Sequence, residues 1–476
     1  MSRMRKPQRV AAKGGFRHGL ALIGGSILWP GTPQFMAGRR GLGATVMSLV
    51  VAAWVVVGVL WFTYRPSRSD LINLATNSGF LGVGRWAMLV LVLVWLLLFI
   101  DAWRLALLPH MGFLRKFTVS ALCVALVAGV TTGGYLAWNT ATASKVVVDR
   151  VFTATEEKPP LNGRYNILLI GADSGKGRMG LRPDSMNIVS IDSNSGAAVM
   201  ISLPRNLQKV PFAEGSPMRD VYPYGFNCGT ECLLNAVHTY ASNRTDLYPD
   251  SDDPGMDATF DAIEGVTGLS INYHIIVNMK GFSKLVDAIG GVEMTIKEPI
   301  PMFGKDDSWK NEYIQPGTQK LNGKQALWYG RSRYGADDYD RMGRQKCLLR
   351  AIANQASPQT ILLKASGIAE SSADMLSTDI PASELGAFGD LAIKARTQPI
   401  ATISIVPPKY STADPNFDQI RQDIAALIAK SEREAVLRSR TQSTPGTNST
   451  QPTPSTPTPS ETAGTSNNTD DLDAVC

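Results

Sequence analysis

Three apolar runs near the start of the chain constrain its folding more than anything else in the sequence. Residues 44–63, 86–103 and 117–138 are each close to the roughly 20 residues that a helix needs to cross a bilayer. Three such runs so close together do not suit the buried core helices of a soluble domain. A weaker segment, 19–37, carries Trp29-Pro30-Gly31-Thr32-Pro33, which breaks a helix. It is expected to lie in the interface or re-enter. Residues 1–18 form a basic tail with Arg3, Arg5, Lys6, Arg9, Lys13 and Arg17, and no short apolar region with a cleavage site follows it. If that tail is cytoplasmic, Arg39, Arg40, Arg104, Arg115 and Lys116 also belong inside. Three crossings satisfy this and put everything after residue 139 outside. Four would leave it in the cytoplasm. Arg65, Arg68 and Arg85, between the first two runs, do not obey the rule.

The rest of the chain reads as a polar stalk (139–163), an α/β domain (164–432) and a Ser/Thr/Pro-rich tail without periodicity (433–476), expected to be disordered. Strands are expected at 166–170, 187–191, 197–202, 273–279, 292–296 and 401–406. Helices are expected at 257–267, 281–289, 322–331, 383–396 and 416–430. Strands alternating with helices predict an α/β fold, a three-layer-like sandwich around a central mixed sheet. The formal net charge is +6. No Lys/Arg run is interleaved with aromatics, so nucleic acid is not an expected partner. Cys228 and Cys232 lack the second pair of a zinc site. They could pair with each other outside the cell, with Cys347 as a competing partner, or remain free thiols.

The chemistry concentrates in Arg331 to Gln345, RSRYGADDYDRMGRQ. Helical spacing sends Arg341 and Gln345 the same inward way as Leu348 and Ile352. An arginine aimed at a core side needs an anion, and a helix start attracts one. The alternative is an internal Arg–Asp network. Asp173 and Asp184 flank the first two strands and could present two carboxylates at one sheet edge, or serve as turn and cap residues. Paired carboxylates beside a phosphate site suit a hard divalent ion. Arg205 leaves the third strand at the same edge. With Arg182, Arg331, Arg333, Arg341 and Arg344 it could surround a diphosphate. There is no Walker-type loop and no G-x-S-x-G elbow, and His238 and His274 read as structural.

These ordered motifs resemble the LytR–CpsA–Psr family of cell-wall glycopolymer transferases. The residues that carry the resemblance are YNILLIGADS (165–174), RPDSM (182–186), ISLPRN (201–206), VTGL (266–269) with NMKGFSKLVDAIGGV (278–292), and ALWYGRSRYGADDYDRMGRQ (326–345). The cysteines look like those of actinobacterial members. Asn206 stands where the family usually has aspartate, and Pro183 where serine is common. The resemblance implies an α/β sandwich whose cleft holds a polyprenyl phosphate lipid. It implies that Asp173 and Asp184 hold Mg²⁺, with Mn²⁺ an alternative. It implies that Arg182, Arg205, Arg331, Arg333, Arg341, Arg344 and Gln345 hold the pyrophosphate. Asp184, Asp338 and Arg344 are the catalytic candidates, with Asp338 or Asp184 as general base. The donor would be a polyprenyl-pyrophosphate-linked glycan and the acceptor peptidoglycan or a surface protein, at the outer face of the cell membrane. A polyprenyl-pyrophosphate hydrolase and a non-catalytic envelope regulator that binds lipid phosphate remain alternatives.

Overall fold

The computed structural model describes residues 24, 29–36, 39–106, 112–152, 154–172, 183–302, 312–333, 337–355, 376–442 and 476. The chain divides into two compact units, Met1–Lys145 and Val146–Cys476.

In the first unit, a five-residue helix, α1 (Thr32–Met36), begins inside the Trp29–Pro33 breaker. Four helices follow: α2 (Arg40–Tyr64), α3 (Arg68–Thr76), α4 (Ser78–Ala106) and α5 (Phe113–Val151). α1 packs closely on α2, since a Cβ on Gly43 would come 2.4 Å from the Phe35 nitrogen. Gln34 Nε2 donates to the Leu98 carbonyl of α4 at 3.2 Å. The segments Arg40–Tyr64, Ser78–Leu105 and Lys116–Val146 are long and apolar enough to cross a membrane. Each runs past its apolar run, because the flanking residues contain no helix breaker. Residues 139–151 are expected as stalk but continue α5, since no Pro or Gly interrupts them.

The second unit is built on a six-stranded mixed sheet. Its strands are β1 (Arg164–Ala172), β2 (Pro183–Asp192), β3 (Ala198–Leu203), β4 (Tyr273–Asn278), β7 (Leu376–Thr378) and β8 (Ile400–Ser404). Their order is β8-β3-β2-β1-β4-β7. β1 and β4 run parallel, as do β8 and β3; the other neighbours are antiparallel. The central strands are nearly continuous apolar runs, as strands covered on both faces should be. One core joins Leu168, Ile170, Met186, Ile188, Val199 and Ile201 to helix α6 (Pro254–Thr267) through Ala262, Ile263 and Val266. The same core reaches α11 (Phe417–Gln442) through Ile420 and Ile424. A second core lies between α7 (Met279–Ala288), the hairpin of β5 (Val292–Ile296) with β6 (Gly317–Leu321), α8 (Gly323–Arg331) and α9 (Asp338–Gln355). α10 (Leu385–Ala395) precedes β8.

α11 extends through residues 433–442, which had been expected in the disordered tail. Glu434 and Arg438 form an i,i+4 pair there at 3.0 Å. Cys228 bonds to Cys232, and Cys347 bonds to Cys476 rather than competing for them.

Candidate functional site

Strand register builds the site. Met186 pairs with Leu203 across β2 and β3. Counting on from that pair toward the β3 exit brings Asp184 opposite Arg205. Arg205 Nη1 donates to Asp184 Oδ1 at 2.7 Å. β1 ends at the same edge, with Ala172 opposite Pro183. The Arg205 carbonyl accepts from the Asn235 nitrogen at 3.1 Å, which ties the strand exit to the segment just after the Cys228–Cys232 loop.

α9 supplies the other half. Asp337 and Asp340 cap it reciprocally: the Asp340 nitrogen donates to Asp337 Oδ1 at 2.7 Å, and the Asp337 nitrogen donates to Asp340 Oδ2 at 3.1 Å. Asp338, Arg341 and Gln345 then fall on one face with Leu348. Arg341 is only 3% exposed. Its Nε and Nη2 grip both oxygens of Asp338, at 3.2 and 2.9 Å, and its Nη1 donates to the Asp184 carbonyl at 3.2 Å. Arg333 Nε lies 3.3 Å from Asp338 Oδ1, and Arg205 Nε lies 3.8 Å from Asp338 Oδ2. One turn on, Arg344 donates to the Ser332 carbonyl, and its buried Nε has no partner among the described residues. Gln345 bridges elements, accepting from Ser185 Oγ and donating to the Gly330 carbonyl, both at 2.9 Å.

The electrostatics show which charge dominates. Burial opposes the ionised form of Asp338, but the Arg341 hydrogen bonds and the charges of Arg341, Arg333 and Arg205 outweigh it. Its carboxyl stays below the usual range. Arg333 is pushed the other way: burial and repulsion from Arg205 and Arg341 lower its pKa despite Asp338 and Asp184. Burial, joined by Arg341, likewise lowers that of Arg344. Arg205, Arg333 and Arg341 thus gather around the Asp184 and Asp338 carboxylates, with Arg344 and Asp340 beside them, and the excess is positive. The internal Arg–Asp network of the second reading is therefore present.

Of the expected site residues, Asp184, Arg205, Arg333, Asp338, Arg341, Arg344 and Gln345 come together. Arg331 is exposed, with its guanidinium 4.9 Å from the Trp328 ring centroid. Asp173 and Arg182 lie outside the described residues. Asp184 keeps a carboxylate that is 41% accessible, which fits an oxygen-liganded divalent ion. Asp338, enclosed by arginines, does not.

Beneath the site runs a polar row that sequence reasoning missed. Ser202 Oγ donates to Asn187 Oδ1 at 2.7 Å, and Asn187 Nδ2 donates to Ser185 Oγ at 3.0 Å. Ser404 lies beside Ser202 on β8 and accepts from Lys346 Nζ at 2.9 Å. The available signal was Asn187, Ser202 and Ser404, each flanked on both sides by apolar residues.

A family model described as the LytR_cpsA_psr family matches residues 135–423. The chain belongs to the LytR_cpsA_psr family. It is 25% identical over 305 residues to the polyisoprenyl-teichoic acid–peptidoglycan teichoic acid transferase TagV of Bacillus subtilis, which covers 61% of this chain and 70% of that protein. It is 26% identical over 215 residues to the cell wall biosynthesis protein LcpA of Corynebacterium glutamicum, covering 41% and 40%. The crystal structure of B. subtilis TagV superposes with a TM-score of 0.41 at 23% identity, covering 56% and 96%. The LytR_cpsA_psr match takes in every residue of the arginine site. With three apolar helices ahead of it, this LytR_cpsA_psr chain is membrane-anchored.

Proposed function

We propose that this chain is a phosphotransferase that moves a glycopolymer from a polyprenyl-pyrophosphate carrier to a cell-wall acceptor, peptidoglycan or a surface protein. The single observation carrying the reading is the gathering of Arg205, Arg333, Arg341 and Arg344 at one sheet edge, in excess of the carboxylates beside them. A pyrophosphate would relieve that excess. The relatives' printed names support the same substrate class.

An acceptor hydroxyl attacks the glycan-bearing phosphorus, and its proton passes to the departing polyprenyl phosphate. The new O–P bond forms as the bond to the bridging oxygen breaks, and polyprenyl phosphate leaves. The glycan keeps its phosphate and becomes a phosphodiester. The guanidinium groups hold the non-bridging oxygens and neutralise charge that builds in the transition state. Asp338, held ionised, is a poor proton acceptor and instead orders Arg341, Arg333 and Arg205. Mg²⁺, held at Asp184 with Asp173 as its partner, would neutralise further phosphate charge. The catalytic unit faces the outside of a membrane crossed three times.

The test uses the full-length protein in nanodiscs with a labelled polyprenyl-pyrophosphate-linked glycan and peptidoglycan. Arg344→Ala and Asp184→Ala should lower transfer at least ~100-fold, in the range of lost transition-state contacts, without altering unfolding. Undiminished transfer in both variants would overturn the proposal. Release of lipid phosphate without glycan attachment would instead mark a hydrolase. Retained lipid without turnover would mark a regulator.

A further inference from the structure

The first unit holds a second basic cluster, and the site above does not use it. α4 and α5 run antiparallel: Gly134 packs on Val92, Trp138 on Trp86, and Lys145 on Gly82 and Ser78. Ser78, Gly82 and Arg85 share one face of α4, and Trp138, Thr142 and Lys145 share the facing stripe of α5. The Arg85 guanidinium carbon lies 5.8 Å from the Trp86 ring centroid and 5.6 Å from that of Trp138. The two indoles meet edge to face at 5.4 Å. Lys145 Nζ donates to Ser78 Oγ at 2.8 Å. Its stem lies over the turn before Arg85, where a Cβ on Gly82 would come 3.8 Å from Lys145 Cε.

Among the described residues the Arg85 guanidinium has no carboxylate or hydrogen-bond partner, and its Nε is buried. The buried Thr142 hydroxyl, between Trp138 and Lys145 on α5, also lacks a partner. An arginine at the end of an apolar span without a counter-ion is costly. The near-equal separations of the guanidinium and the two ring centroids put both indoles to one side of it and leave the N–H groups on its other side as donors. Such groups pair with phosphate oxygens two at a time.

The cluster sits in the first two turns of the Ser78–Leu105 span and the last turns of Lys116–Val146. That is headgroup depth, where tryptophan and basic residues anchor helices. Exposed Arg65 and Arg68 stand on the same connection. They and Arg85 are the residues that broke the charge-asymmetry rule. We propose that Arg85, with Trp86 and Trp138 to one side and Lys145 and Thr142 beside it, binds the net-anionic phosphate headgroup of a membrane lipid. The site is separate from the sheet-edge arginines and does not depend on the transferase reading.

The test is native mass spectrometry of the full-length protein, delipidated in detergent and titrated with phosphatidylglycerol, a polyprenyl monophosphate, phosphatidylcholine or oleate. The wild type should retain phosphatidylglycerol or the polyprenyl monophosphate at least ten-fold more tightly than oleate. Retention of both shows that the headgroup is what is read, and retention of one shows that the lipid chain is read too. Arg85→Gln should lose the preference at least ten-fold, and Arg85→Lys should keep part of it. Wild-type protein that prefers neither of the net-anionic phosphate lipids over zwitterionic phosphatidylcholine overturns the proposal whatever the variants do. So does folded Arg85→Gln that binds like wild type, or oleate held as tightly as the phosphate lipids.

Discussion

Lys346 gives the most direct physical test of the ground beneath the site. It is 1% exposed, and its Nζ donates to Ser404 Oγ at 2.9 Å. Burial pushes its pKa from an ordinary 10.5 down to about 8. A shift of that size corresponds to about 3 kcal/mol between the two protonation states. The unfolded chain keeps the proton up to about pH 10.4, whereas the folded chain gives it up near 8. Between those values the unfolded state binds more protons, so stability rises with pH. About 2 kcal/mol should return between pH 7 and 9.5. Lys346→Met removes this titration and loses the Ser404 hydrogen bond, worth about 1 kcal/mol. It should therefore be about 2 kcal/mol more stable than wild type at pH 7, and the two should converge as pH rises. Urea unfolding of the full-length protein in detergent at several pH values measures this. Parallel pH curves, or a Lys346→Met protein less stable than wild type at pH 7, would refute the reasoning.

Arg341→Ala should cost about 3 kcal/mol, because it strips the bidentate partner from a half-buried carboxylate, whereas exposed Arg333→Ala should cost under about 1 kcal/mol; urea titrations compare them. Asp338 gains stability from ionisation, so that share is lost as pH falls below 3.8 through its lowered folded value, and Asp338→Asn should flatten this acid limb in a pH-unfolding series. Gly323→Ala would gain stability in an open helix, but here the new Cβ would come 1.9 Å from the Ser283 carbonyl oxygen, so a loss of about 2 kcal/mol or more is expected by thermal unfolding.

The sequence made the apolar spans, the central strands and the inward face of α9 legible, because each follows from periodicity. Arg341 is buried as its spacing with Leu348 required. Arg205 meets Asp184 because strand register, once known, leaves no alternative. What the sequence hid is long-range pairing. Nothing local says that Lys346 reaches Ser404, or that Cys347 bonds to Cys476 across a separation of 129 residues. Arg331 resembles its neighbours in sequence but leaves α8 on the side of Trp328. Asp337 and Asp340 stand among the arginines in sequence but cap the start of α9.

α2 sets a different rule for mutation within the same chain. Its apolar window is 0% covered by protein, and Leu49, Trp54 and Phe62 stand 69%, 66% and 78% exposed. Truncating Leu203, 2% exposed in the sheet, opens a void that rigid neighbours cannot fill and costs about 3 kcal/mol. Truncating Leu49 leaves no void, because acyl chains flow into the space. The fold would tolerate steady erosion of side-chain size along α2 until the segment became too short or too polar to partition into hydrocarbon. Evolution along α2 is then limited by a sum over the whole segment, and along β3 by each residue in turn.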